Sequence, residues 1–153
     1  MECVLKTALS FLGLNEADGS YKQIIDLYNT LTPLPRGYRM RYEDPWCTAF
    51  IAAIGAACGL SGVLLPECSA EKMLELYRQR GLVYLPSQLD PRPGDLIFFD
   101  WEHDGQADHV ALVYSVKNGR VLLVEGNAGD AVVLRALSPD SRKHIRAWAR
   151  PPY

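Results

Sequence analysis

The sequence has no excess of positive charge, no internal repeat, no low-complexity tract and no run of like charges. Its 16 basic and 18 acidic residues give a formal net charge of −2, so it lacks the basic surface typical of nucleic-acid binding. Because no stretch of the 153 residues resembles a linker or a tail, we predict a single domain spanning residues 1–153. The hydrophobic fraction of 48% is sufficient for a compact core.

Cysteine and histidine are also scarce, and neither is spaced as in a metal site. The four cysteines form no C-x-x-C pair, and the three histidines have no zinc-ligand spacing. This excludes a disulfide-dense scaffold, and reduced thiols are expected of a protein made in the cytoplasm. His103 and His144 lie in polar stretches and are expected to be solvated. Residues 15–20 offer Glu16 and Asp18 without a calcium-ligand series, so we expect no metal and no other cofactor.

The chain shows neither a signal peptide nor a convincing membrane span. The first residues, MECVLK, lack the basic start and the apolar stretch of a signal peptide. Residues 48–65 carry no charge, but Gly59, Ser61 and Gly62 crowd the second half of this stretch. The helical part is then too short to cross a bilayer. The pattern predicts a buried central helix that is apolar on all sides.

The hydrophobic period changes halfway along the chain. Apolar residues at helical spacing predict helices over residues 2–12, 20–31 and 69–80. Short runs of valine, isoleucine, leucine and aromatic residues then alternate with turn residues, which is typical of strands. The strands are predicted over residues 95–101, 109–116, 120–127, 131–137 and 145–150. Helices followed by strands indicate an α+β fold, with N-terminal helices packed on a C-terminal antiparallel sheet of about five strands.

The stretch DPWCTAF places a cysteine at the start of the central helix. Asp44 is a favoured N-cap residue and Pro45 is favoured at the next position, so Cys47 is predicted to be the third helical residue. A thiol there lies near the positive end of the helix dipole and near unpaired N–H groups, which favours a nucleophilic thiolate. The same N–H groups can hold an oxyanion. The alternative is a buried, inert thiol, which is our interpretation of the other three cysteines.

A base for this thiol is available at the start of a predicted hairpin. A two-residue turn at 118–119 would put Glu125 and Asn127 on the face opposite His109. A three-residue loop at 117–119, or a bulge with the same effect, would place all three side chains on one face, and we predict the three-residue loop. Glu125 or Asn127 can then accept from the imidazole and fix its tautomer, leaving His109 to act as the base. The alternative is that His109 is an ordinary strand-end residue.

Four motifs in this order are similar to those of a known family. DPWCTAF, RPGDLIFFDW, DHVALVYSV and VEGN together resemble the CHAP family of cysteine- and histidine-dependent amidohydrolases and peptidases, over about residues 42–128. The closing IRAWARPPY resembles the family's last strand. The resemblance implies a papain-like α+β fold and hydrolysis of amide bonds in bacterial peptidoglycan, by an N-acetylmuramoyl-L-alanine amidase or a cross-bridge endopeptidase. It also implies Cys47 as the nucleophile, His109 as the base, and Glu125 and Asn127 as polar partners.

The expected reaction is acyl transfer through a thioester on Cys47. The oxyanion would be held by the Cys47 backbone N–H and a second donor, for which Tyr42 is a candidate. Trp46, Tyr42 and Trp101 are expected to bind substrate, because aromatic faces suit sugar rings and apolar parts of stem peptides. For the two tryptophans, burial in the core is the alternative.

Other activities are compatible with the same residues. A papain-like toxin amidase, or a peptidase or deamidase acting on proteins, would have the same Cys-His core. A non-catalytic structural or binding module is disfavoured by the intact Cys47, His109 and Asn127. The expected partner is bacterial peptidoglycan, with no nucleic acid and no membrane span, and the expected state is a monomer. We expect synthesis in the cytoplasm without a signal peptide, and action at the cell wall after release, as for a phage or prophage lysin.

Overall fold

A computed structural model of the protein describes residues 1–88 and 90–153. Within these residues the chain forms five α-helices, a single-turn 3-10 helix over Pro35–Gly37 and six strands. The helices are α1 Glu2–Ser10, α2 Lys22–Tyr28, α3 Cys47–Ala57, α4 Ala70–Gln79 and α5 Pro139–Arg142. The strands are β1 Val83–Tyr84, β2 Leu96–Phe99, β3 His109–Lys117, β4 Arg120–Glu125, β5 Val133–Ala136 and β6 Ile145–Ala149. None of the helices in these two ranges is long and apolar enough to cross a membrane.

The strands form one antiparallel sheet in the order β1-β6-β2-β3-β4-β5. This confirms the predicted α+β class, and the five predicted strands are all present: four are shorter than predicted, and β3 is longer by one residue. The sixth strand, β1, was not predicted because two residues are too few to show a period of two. The short helix α5 was missed for a similar reason, since one turn shows no helical periodicity.

The core lies mainly between the helices and one face of the sheet. Helix α3 is the centre of this layer, and residues 47–55 are all buried, which confirms the predicted central helix. A smaller apolar cluster covers the opposite face of the sheet. The predicted helix over residues 69–80 is also confirmed as α4. Its start is capped by the Ser69 side chain, which accepts from the Lys72 N–H, and Gly81 follows its end in the left-handed conformation.

The start of α3 differs from the prediction by two residues. Asp44 is not the N-cap, because its carboxylate instead accepts from the Arg41 N–H and the Tyr38 hydroxyl, both at 2.8 Å. The hydrogen bond from the Arg41 backbone is the main reason that the pKa of Asp44 is lowered. Trp46 is the N-cap residue, and its carbonyl accepts the first helical hydrogen bond. Cys47 is therefore the first helical residue rather than the third.

The turn between β3 and β4 also differs from the prediction. Lys117 pairs with Arg120, so the turn has two residues, Asn118 and Gly119. Both have positive φ values, 50° and 73°, as the tight turn of a two-residue hairpin requires. The predicted three-residue loop is therefore wrong.

A bulge in β3 nevertheless brings the predicted side chains together. The register shifts between Val113 and Ser115, so Tyr114 is an extra residue in β3. One extra residue exchanges the faces of everything beyond it. Beyond the bulge, His109 and Glu125 share one face of the sheet. The sequence analysis predicted that these two side chains share a face, either through a three-residue loop or through a bulge with the same effect.

The expectation of four reduced cysteines is wrong for two of them. Cys3 of α1 and Cys58, at the C-terminal end of α3, form a disulfide with a Cα–Cα distance of 6.0 Å. Cys47 and Cys68 remain free thiols. The pairing was not apparent from the sequence because 55 positions separate the two cysteines, and only the packing of α1 against α3 brings them together.

Candidate active site

The imidazole of His109 is held by a buried carboxylate. His109 Nε2 lies 3.1 Å from Glu125 Oε2, and the two side chains are only 12% and 1% exposed. His109 is the first residue of β3 and Glu125 the last of β4, so the pair lies at one end of the two strands. Because Nε2 is occupied by Glu125, the other ring nitrogen, Nδ1, is left for a second partner.

Cys47 acts on the same imidazole. Burial by itself lowers the pKa of His109, but hydrogen bonds to Cys47 and Glu125 outweigh it and raise the pKa from 6.5 to about 9. The imidazole then carries a proton at neutral pH, which places a positive charge beside Cys47. The position of Cys47 at the first residue of α3 adds the positive end of the helix dipole. Three of the four predicted catalytic residues are thus in one cluster.

The fourth, Asn127, is close in sequence but makes no such contact. It is half-buried with a φ of 57°, and in residues 1–88 and 90–153 its side chain has no hydrogen-bond partner. Of the two candidates for orienting His109, Glu125 is therefore the one in contact. No structural observation assigns a chemical role to Asn127.

The glycine between Glu125 and Asn127 allows this end of β4 to lie directly on α3. A Cβ atom added at Gly126 would overlap the Cβ of Phe50, and would lie 2.7 Å from its Cγ and 3.1 Å from Trp46 Cζ3. Only a residue without a side chain permits this approach. Gly126 therefore helps to bring the start of α3 and the end of β4 to the same place.

Trp46 does not lie in a surface cleft, in contrast to the prediction that it binds substrate. It is 0% exposed, its ring packs 5.5 Å from that of Tyr21, and its Nε1 donates to Glu16 Oε1 at 2.9 Å. Glu16 belongs to the loop that was considered for calcium, and this carboxylate anchors the tryptophan instead. The role of Trp46 is to fix the residue before Cys47 in the core.

The hydroxyl of Tyr42, the candidate second oxyanion donor, is already hydrogen-bonded to another side chain. It is 39% exposed, and its hydroxyl donates to Asp26 Oδ1 at 3.0 Å. This hydrogen bond is the main reason that the pKa of Tyr42 is raised. The Lys22 ammonium lies 5.0 Å from the centre of its ring. Tyr42 thus packs against residues of α2, and its role as an oxyanion donor stays a prediction.

Trp101 is the aromatic residue that best fits an exposed platform near the site. It is 38% exposed and stacks on Phe99 with ring centres 4.7 Å apart, and Phe99 lies 6.0 Å from the His109 ring. On its other side it packs 5.1 Å from His144, which in turn stacks on His103 at 4.6 Å. His103 is exposed as expected, whereas His144 is half-buried rather than solvated.

Arg135 was not identified from the sequence, although it contacts the site. Its Nε lies 2.8 Å from Glu125 Oε1, so the carboxylate has a cation at each oxygen. A signal was present: an arginine inside the predicted strand 131–137, next to a strand ending in glutamate. Arg135 could be assigned to the site only if the neighbouring strands and their register were already known.

A cavity of about 400 Å³ opens beside the start of α3. It is lined by Arg36, Tyr38, Met40, Asp44, Pro45 and Cys68. Its lining reaches Pro45, two residues before Cys47, but does not include Cys47 or His109. In the described part of the chain, no group of three or more histidine, cysteine, aspartate or glutamate side chains is arranged to hold a metal ion.

The fold consists of helices packed on an antiparallel sheet. Its candidate site combines a cysteine at a helix start with a His–Glu pair at the strand ends, an arrangement typical of α+β proteins with a cysteine–histidine site. The comparisons with known families agree with this class. Residues 37–127 match the CHAP domain family. Since the match covers more than half of the chain, the protein belongs to the CHAP family, as its motifs indicated.

Comparisons with individual proteins give less information than the family match. No curated protein matches the sequence. Two solved structures of Ly7917, one of them with the hydrolyzing product of MDP, are 18% identical to the chain, with a TM-score of 0.39. The similarity covers 48% of this chain and 33% of theirs, so this chain spans about a third of the proteins that it matches.

Proposed function

We propose that the protein is a peptidoglycan hydrolase that cleaves amide bonds of the bacterial cell wall with Cys47 as the nucleophile. The observation that carries the proposal is the buried His109–Glu125 pair, whose imidazole is also influenced by Cys47 at the start of α3. Membership of the CHAP family supports the same chemistry. His109 is the acid and base, Glu125 orients it, and Asn127 is kept as a polar residue beside the site.

In the first half of the reaction, the Cys47 sulfur attacks the carbonyl carbon of the scissile amide. The new S–C bond gives a tetrahedral oxyanion, which the unpaired N–H groups of the first turn of α3 can hold. The C–N bond then breaks, and the amine leaves with a proton from the His109 imidazolium. The products are a free amine and an acyl group joined to Cys47 as a thioester.

In the second half, His109 is neutral and takes a proton from water. The resulting hydroxide adds to the thioester carbonyl, and the S–C bond breaks to release a carboxylic acid. Glu125 accepts from Nε2 throughout, so Nδ1 remains the nitrogen that exchanges protons. The cycle ends with the same thiolate and imidazolium that began it.

The substrate contacts proposed here are aromatic and lie beside His109. Trp101 offers an exposed ring to a sugar or to the apolar part of a stem peptide. Action on the wall places the protein outside the cytoplasm, and the Cys3–Cys58 disulfide supports an oxidising compartment. We propose that residues 1–153 act as one catalytic domain after release from the cell.

Digestion of purified peptidoglycan tests the proposal and identifies the bond. We expect the turbidity of a wall suspension to fall on addition of the protein, and mass spectrometry to find one new kind of end. Muramic acid residues freed of their peptides would identify an N-acetylmuramoyl-L-alanine amidase. New amino and carboxyl ends within the peptides would identify a cross-bridge endopeptidase.

Heat-denatured protein and walls from several bacteria complete this experiment. Denatured protein should release nothing, and walls with different cross-bridges should differ in rate if the enzyme cuts the cross-bridge. Release of reducing sugar ends without new amide-derived ends would contradict the proposal. So would an intact wall together with cleavage or deamidation of a protein substrate, which would favour the other papain-like activities.

A further inference from the structure

The carboxylate of Glu125 is almost completely buried, and it is shared between two cations. Its Oε2 is 3.1 Å from His109 Nε2 and its Oε1 is 2.8 Å from Arg135 Nε. A buried carboxylate stays ionised only if cations or hydrogen bonds replace its lost water. Of the charged or titratable groups in the described residues, these are the two in contact with it, and Cys47 also acts on the His109 imidazole.

Arg135 is itself fixed in place by three neighbouring elements. It lies on β5, where it pairs with Leu123 while Glu125 pairs with Val133, so it is the diagonal neighbour of Glu125 across the two strands. Its guanidinium carbon lies 5.9 Å from the centre of the Phe99 ring on β2. Its Nη1 donates to Ser141 Oγ of α5 at 3.3 Å. A guanidinium held on several sides is a rigid partner for a carboxylate.

We propose that Arg135 is a positioning residue that keeps Glu125 ionised and directed at His109 Nε2. An ionised Glu125 can only accept, so it fixes the proton on Nε2 and leaves Nδ1 to serve Cys47. A protonated Glu125 would instead donate to Nε2 and leave the ring proton on Nδ1, so that the thiolate–imidazolium pair could not form and Nδ1 could not take a proton from water. Arg135 thus acts on the reaction through Glu125 and His109 without touching the substrate.

The inference rests on the proposed function and makes a prediction about pH. Replacing Arg135 with methionine leaves Glu125 with one cation and shifts it toward the protonated form. We expect kcat for wall hydrolysis at pH 7 to fall about 10²-fold with little change in KM, and the loss to shrink as the pH is raised and Glu125 ionises again. Arg135→Lys keeps a cation near Oε1 and should recover most of the activity.

Two other variants separate positioning from a merely structural role. Glu125→Gln cannot ionise, so its loss of activity should persist at every pH. Arg120→Met removes an exposed arginine at the far end of β4 and should leave both activity and pH profile unchanged. Thermal melts of all variants establish that they are folded. If Arg135→Met does not fold, Arg135→Lys still tests the proposal through its pH profile.

The rate of alkylation of Cys47 by iodoacetamide gives a second measurement that needs no substrate. We expect Arg135→Met to slow this reaction at pH 7 and to approach the wild-type rate at higher pH. If the alkylation rates change in this way but the wild type does not hydrolyse peptidoglycan, the proposed function is overturned and the role of Arg135 is supported. A wild-type pH profile in Arg135→Met, or an equal loss at all pH values with a changed KM, would overturn the positioning role.

Discussion

Replacing Cys47 with alanine is expected to reduce wall hydrolysis by at least about 10³-fold, to the limit of detection. The sulfur forms the covalent bond in the proposed reaction, and the methyl group of alanine cannot replace it. We expect the substitution to reduce activity and not folding, because alanine fills most of the same buried space and is favoured in helices. Clearing of a peptidoglycan suspension, followed over several decades of enzyme concentration, measures the loss.

The chain contains its own control for this variant. Cys68 is the other free thiol, and burial raises the pKa of its sulfur, so it is a poor nucleophile at neutral pH. Cys68→Ala should therefore clear the wall within about twofold of the wild-type rate. Equal clearing by Cys47→Ala and wild type would show that the nucleophile has been assigned wrongly.

Removing the disulfide between α1 and α3 is expected to cause the largest loss of stability. The bond closes a loop across a separation of 55 residues, and the loop-closure entropy of a chain of that length corresponds to about 4 kcal/mol of unfolding free energy. For a domain of this size the melting temperature should fall by roughly 10 °C. Cys3→Ala tests this with little disturbance of packing, because Cys3 is exposed.

Reduction of the wild type provides the matched experiment. The wild type in a reducing agent should melt at the temperature of Cys3→Ala, and the reducing agent should not lower the melting temperature of the variant further. A thiol titration of the unfolded, unreduced protein should find two free thiols rather than four. Four free thiols, or a variant as stable as the wild type, would contradict the pairing.

The sequence predicted the elements whose signals are local and repeated. The uncharged run of α3, the serine cap of α4 and the alternation of the longer strands all persist over several residues. The start of α3 was misplaced because Asp44 fits two structures equally well from sequence. Contacts with Tyr38 and Arg41, in the preceding loop, direct it to the turn rather than to the helix. Such a choice depends on tertiary contacts that local propensity does not contain.

Within the site, residue types were easier to predict than their contacts. His109 and Glu125 were grouped correctly although the turn was wrong, because a bulge at Tyr114 has the same effect on the register as the longer loop. A bulge leaves no clear mark in a sequence. Arg135 was missed because its partner is two positions away along the neighbouring strand. Trp46 was named as a substrate contact, with burial in the core as the alternative, because residue type alone does not distinguish a core anchor from a binding residue.

The most direct test of the Cys47–His109 pair is competition between the two free thiols for iodoacetamide at pH 7. Cys47 is only 6% exposed and Cys68 is half-buried, so accessibility alone favours Cys68. With an imidazolium beside Cys47, we predict that peptide mass spectrometry finds Cys47 alkylated at least about tenfold faster, and that His109→Ala abolishes the difference. Faster labelling of Cys68, or an unchanged Cys47 rate in His109→Ala, would contradict the account.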